Sequence, residues 1–125
     1  MSIVQIRSRR KFTGGINKSH LKKNLHSLGR APTFTRLGKR KTKVLRVRGG
    51  KLKTVLLSDE FVNLFDKGDK GYKKVKIKTV LENPANRHFI IKNIMTKGTI
   101  IETEVGKARI TSRPGQEGTI NAVLV

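Results

Sequence analysis

The chain has 125 residues, no cysteine and no tryptophan, and 29 lysines and arginines against 8 acidic residues, for a net charge of +21. The missing cysteines exclude disulfides, thiolate metal sites and thiol nucleophiles, and no apolar run is long enough for a membrane span or a signal-peptide core. That leaves a small domain with room for an appended arm, expected in the cytoplasm without cofactor, membrane partner or small-molecule substrate.

Charge is unevenly distributed. From Met1 to Ser58 there is no aspartate or glutamate and 17 bases stand unopposed, whereas from Asp59 onward 12 bases face 8 acids. Solvated surfaces mix both signs, so a run this one-sided repels itself and needs a polyanion to settle on. Nucleic acid fits that demand, because each base placed on a phosphate releases condensed counterions.

In chain order, the arm opens on Arg7, Arg9, Arg10 and Lys11, followed by Gly14 and Gly15, which permit a tight turn or a close approach to phosphate. Lys18 follows. Leu21, Leu25 and Leu28 recur at helical spacing, with Ser19 as N-cap and Gly29 as C′ residue, so a short helix is expected over 19–28 with Lys22 and Lys23 off its leucine stripe. His20 and His26 are spaced wrongly for a metal pair on one helix face. From Arg30 to Lys43 the chain reads as extended, with Pro32 disfavouring helix before it, and carries Arg36, Lys39, Arg40, Lys41 and Lys43.

The period then becomes two. In 43–48, Leu45 and Val47 fall on one face and Val44, Arg46 and Arg48 on the other, which predicts a half-buried strand with a basic outer face. Gly49 and Gly50 suit a two-residue primed hairpin turn, and Lys53 to Leu57 supplies the returning strand. Phe61 to Phe65 is expected as a strand and 67–71 as a turn.

Over 74–81 the alternation sends Val75, Ile77, Thr79 and Leu81 inward and Lys74, Lys76 and Lys78 outward, where the lysines either meet RNA or protect a sheet edge. Asn83 to Asn86 makes a turn, and Phe89 to Ile94 runs along the core. The last strands are expected over 99–105, 108–112 and 119–124; a two-residue turn at Gly106 and Lys107 places Glu104 opposite Arg109. The aggregate is an all-β chain: a small antiparallel β-barrel of about six or seven short strands. Its basic arm spans 1–42 and its barrel domain 43–125.

Catalytic chemistry has little to work with. Glu102 and Glu104 could share a strand face, but no histidine or third acid lies near in sequence, and no phosphate-binding loop or metal set is present. The chain therefore reads as a binding protein rather than an enzyme. Reading DNA sequence is poorly supported: the one expected helix is short, there are no cysteines for zinc fingers, and heptads are absent. With five phenylalanines and Tyr72 mostly needed in the core, base stacking is also a weak expectation, which leaves folded RNA recognised by charge and shape.

Three blocks carry a family resemblance. They are Arg7–Gly15; Leu28, Gly29 and Arg30 through Pro32, Thr35, Leu37 and Gly38 to Arg46–Gly50; and Glu82–Asn86 with Thr96–Gly98 and nearly all of Ile101–Leu124, notably Gly106–Arg109 and Thr111–Gln116. Together they resemble the S8e family of small-subunit ribosomal proteins, in its short archaeal form. The resemblance implies a β-barrel with a basic extension, small-subunit ribosomal RNA and neighbouring small-subunit proteins as partners, no self-association, and RNA contacts at Arg7, Arg9, Arg10, Lys11, Arg30, Arg46 and Arg48. The remaining bases of the arm extend that set. Alternatives are a pre-ribosome assembly factor of the same domain family and a general nucleic-acid-compacting protein.

Overall fold

The computed structural model describes residues 3–5, 7–18, 22, 24–68 and 70–125. The chain forms two compact units, Met1–Pro32 and Thr33–Val125. Composition bounds the basic arm at 1–42; of that run, residues 36–37 and 41–42 pair with the strand 52–59 within the second unit.

In the first unit, β1 (Ile3–Val4) pairs antiparallel with β2 (Leu28–Gly29), and Gln5 N–H donates to Ser27 O at 2.8 Å. Of the helix expected over 19–28, residues 19–21 and 23 lie outside the described residues. The described remainder is not α-helical: Leu25–Ser27 forms one 3-10 turn, and Leu28 enters β2. The leucine spacing is overridden by the strand pairing, which commits Leu28 and Gly29 to β geometry.

The second unit holds β3 (Arg36–Leu37), β4 (Lys41–Arg46), β5 (Leu52–Asp59), β6 (Phe61–Asp66), β7 (Gly71–Glu82), β8 (Ile100–Thr103), β9 (Lys107–Ile110) and β10 (Asn121–Leu124). Five of these close a barrel in the order β10-β6-β7-β8-β9, and β3-β5-β4 form a separate three-stranded sheet. The all-β barrel class is as the sequence implies. Two pairings depart from the antiparallel expectation: β10 runs parallel to β6 where the barrel closes, and β3 runs parallel to β5 in the second sheet.

Two bulges reset the pattern of β7. Ile77 pairs with Thr103 and Thr79 with Glu102, then Val80 with Ile101 and Glu82 with Ile100, so Lys78 and Leu81 are extra residues without partners on β8. Each extra residue shifts the inward phase by one. The buried set is therefore Val75, Ile77 and Val80, while Thr79 and Leu81 turn outward, correcting the strict alternation. Such bulges bend a strand, which suits a small closed barrel.

The tight turns are also one residue longer than two. Arg48–Gly50 form a three-residue loop closed by Val47 N–H to Lys51 O at 2.8 Å, with Gly49 and Gly50 at φ +73° and +74°. These left-handed angles are the ones glycine adopts without strain. Between β8 and β9 the chain turns at 104–106, so Glu102 faces Lys107 and Arg109 faces Ile100. The expected Glu104 and Arg109 pair does not form, and Glu104 sits in the turn rather than beside Glu102 on a strand face.

The core is aliphatic: Leu56, Val62, Leu64, Val75, Ile77, Val80, Met95, Ile101, Ala108, Ile110, Ile120 and Ala122. Phe89 to Ile94 reaches it differently from the expected run. A one-turn helix α1 (His88–Ile91) leaves Ile91 exposed, and burial resumes at Ile94 and Met95.

The sheet is fastened to the barrel through the turn after β9. Pro114 is buried and its carbonyl accepts Leu56 N–H at 3.1 Å, while Lys53 Nζ donates to Gln116 Oε1. At Gly115 a Cβ would stand 3.2 Å from Thr33 O, so only glycine fits without displacement.

Candidate nucleic-acid interface

In the first unit the leading basic cluster is a closed hairpin loop. Arg10 bridges Ile16, Asn17 N–H donates to Arg9 O at 2.7 Å, Lys11 N–H to Gly15 O at 2.8 Å and Gly14 N–H to Lys11 O at 3.0 Å. Gly14 takes φ +86°, with nothing within 4 Å of where a Cβ would stand. Arg10 Nη1 donates to Gly14 O at 2.9 Å, and Asn17 Nδ2 to Ser8 O at 3.2 Å. The loop therefore presents Arg9, Arg10 and Lys11 to solvent from a folded turn, and Arg7 is exposed just before it. Phe12 at its tip is fully exposed. Lys18, Lys22 and Arg30 are exposed on the same unit, and Lys23 lies outside the described residues.

In the second unit Arg36, Lys39, Arg40, Lys41, Lys43, Arg46 and Arg48 are all exposed. Lys41 and Lys43 alternate along β4 with Thr42, Val44 and Arg46, so this outer strand is basic on both faces; Gly49 and Gly50 carry the loop beyond it.

Arg40 has a structural partner that sequence reasoning missed. Its guanidinium lies 3.9 Å from Asp59 Oδ2 and donates to Gly118 O at 3.2 Å. Asp59 is 2% exposed, and its Oδ1 accepts Glu60 N–H at 2.9 Å and Phe61 N–H at 3.2 Å, which shapes the corner between β5 and β6.

The lysine row of β7 is exposed but not on an edge, since β7 lies between β6 and β8 in the closed barrel. Edge protection is thereby removed as its reason. Lys76 pairs with Glu60 at 3.7 Å, and Lys74 lies 4.9 Å over the Phe61 ring.

The aromatic residues overturn another expectation. None of the five phenylalanines, nor Tyr72, belongs to the buried core. Aliphatic side chains fill the barrel, so the aromatic rings of the second unit are left exposed or half-buried.

These features define an all-β barrel protein whose basic residues are displayed on exposed loops and strands. A family model described as ribosomal protein S8e matches residues 4–125, and the chain belongs to that family. It is 50% identical to the small ribosomal subunit protein eS8 of Picrophilus torridus over the whole of both chains. It is also 50% identical to that of Nanoarchaeum equitans, covering 97% of this chain and 95% of the relative. The protein of the same name from Methanococcus maripaludis strain C7 is 48% identical, over 100% of this chain and 98% of the relative. The family is one of structural ribosomal proteins, not of enzymes.

Proposed function

We propose that this chain is a structural constituent of the small ribosomal subunit, binding and stabilising its ribosomal RNA in the cytoplasm beside neighbouring small-subunit proteins, in support of translation. The observation that carries this reading is similarity to small-subunit proteins along the full length of both chains, acid-free basic run included. Functionally the RNA-binding arm is the run 1–42, and the outer basic strand continues it.

The hairpin loop, with Arg7 just before it, brings Arg9, Arg10 and Lys11 onto phosphates as a preformed cluster. Lys18, Lys22, Lys23 and Arg30 extend the track, and Arg36, Lys39, Lys41, Lys43, Arg46 and Arg48 form the barrel-side contacts. Arg40 contributes less to RNA, because its guanidinium already serves Asp59 and Gly118. Gly14, Gly15, Gly49 and Gly50 let backbone approach the RNA wall, since a side chain at those turns would stand between them.

Binding of the full chain to small-subunit RNA and to duplex DNA of equal length, followed from about 50 to about 200 mM salt, tests this. The expected result is a tighter RNA complex that persists at the upper salt while the DNA complex dissociates. Equal affinities throughout would favour a general compacting protein.

A further inference from the structure

The outer wall of the barrel carries a second kind of surface. Strands β10, β6 and β7 lie side by side, so Val123, Phe65 and Tyr72 form one cross-strand rung and Asn121, Asn63 and Lys74 form the next. Together with Lys73, Thr111 and Ala122 they line an open groove of about 580 Å³. Tyr72 is 76% exposed, and its ring centroid is 5.0 Å from that of Phe65 at a tilt of 47°.

Asn63 Nδ2 donates to Asn121 Oδ1 at 3.0 Å, which uses one polar atom of each amide and leaves Asn63 Oδ1 and Asn121 Nδ2 for another partner. Among the described residues the lining includes two lysines and no acid. The Asp66 carboxylate is 4.0 Å from the Lys73 ammonium.

We propose that this groove is a stacking site for one unpaired nucleotide of the bound RNA. The base lies on the Tyr72 ring, its Watson–Crick edge meets the two asparagine amides, and its phosphate meets Lys74. Three features favour a nucleotide. A large aromatic ring left in water offers a π-face that every base can stack on. A spare acceptor on Asn63 and a spare donor on Asn121, on neighbouring strands, can serve the donor and acceptor that each base presents on that edge. The charge of the lining is complementary to phosphate. The inference rests on the reading that the chain binds ribosomal RNA, and adds to its phosphate contacts a site for a splayed-out base.

Tyr72 is the only tyrosine and there is no tryptophan, so intrinsic emission reports on this groove alone. The full chain is titrated at about 200 mM salt with a short single-stranded RNA, a blunt RNA duplex and inorganic polyphosphate, the salt weakening purely ionic binding. Single-stranded RNA is expected to quench the emission, whereas the duplex and polyphosphate leave it unchanged.

For a labelled single strand, Tyr72→Ala should lower affinity about 5- to 100-fold and Tyr72→Phe by less than about twofold. Neither should alter polyphosphate binding. Exposure of Tyr72 makes loss of folding an unsuitable explanation, and circular dichroism of the Ala variant checks it. Equal affinity of the two variants, or equal quenching by polyphosphate, overturns the stacking site while leaving RNA binding intact. A wild-type chain that binds polyphosphate as tightly as RNA overturns both readings.

Discussion

Removing residues 1–32 is expected to leave a folded barrel that has lost most of its affinity for ribosomal RNA and most of its salt dependence. Eight lysines and arginines and no acid lie in this segment. If all eight meet phosphates, the log-log salt slope should become shallower by about 6 to 7, and affinity near 100 mM salt should fall by about a thousandfold or more. The cut belongs at Pro32 because the next residues are structural. Thr35 is fully buried, its hydroxyl donates to Leu56 O at 2.8 Å, its carbonyl accepts Met95 N–H at 2.8 Å, and Leu37 N–H donates to Asn93 O at 3.1 Å. A cut after Lys41 removes β3 with these bonds and lowers stability and binding together. Salt titration of the 33–125 fragment, checked for folding by circular dichroism, reads the difference; an unchanged slope contradicts the assignment of the arm.

Asp59→Ala is the second large effect, and it acts on folding. The substitution strips the acceptor from two backbone N–H groups at a corner where the carboxylate is buried, and each such loss costs about 1–3 kcal/mol. A total of about 2–4 kcal/mol lowers the melting temperature of a domain this size by roughly 10–25 °C. Arg40→Ala should cost less than about 1 kcal/mol, because an exposed ion pair is screened by solvent. Thermal unfolding of the two variants separates the corner from its counter-ion. Equal losses would mean that Arg40, not the backbone donors, is what Asp59 serves.

Much of the fold was legible because it rests on alternation and turn chemistry. Leu45 and Val47 alternate with exposed neighbours, and Asn83 caps its turn by accepting Ala85 N–H at 3.0 Å. What was not legible depends on partners distant in the chain. Lys78 and Leu81 look like ordinary strand residues until the shorter path of β8 leaves them unpaired. The parallel docking of β10 on β6 joins residues 58 apart, Asn63 with Asn121, and carries no local signal. Likewise the loops at 48–50 and 104–106 are set by strand register.

The candidate interface divides the same way. Its charges could be read from composition alone, because an acid-free run needs no fold to be visible. The commitment of Arg40 to a buried Asp59 could not, nor could the exclusion of aromatic rings from the core, since a small barrel filled by aliphatic side chains is known only once the strands close. Tyr72 became a candidate contact for that reason.

Sedimentation of the tagged chain through sucrose gradients of cell lysate, at moderate and at high salt, tests the central claim most directly. Stoichiometric cofractionation with mature small subunits and translating ribosomes at both salts is the predicted result. Confinement to immature particles, or release into the light fractions, would contradict it.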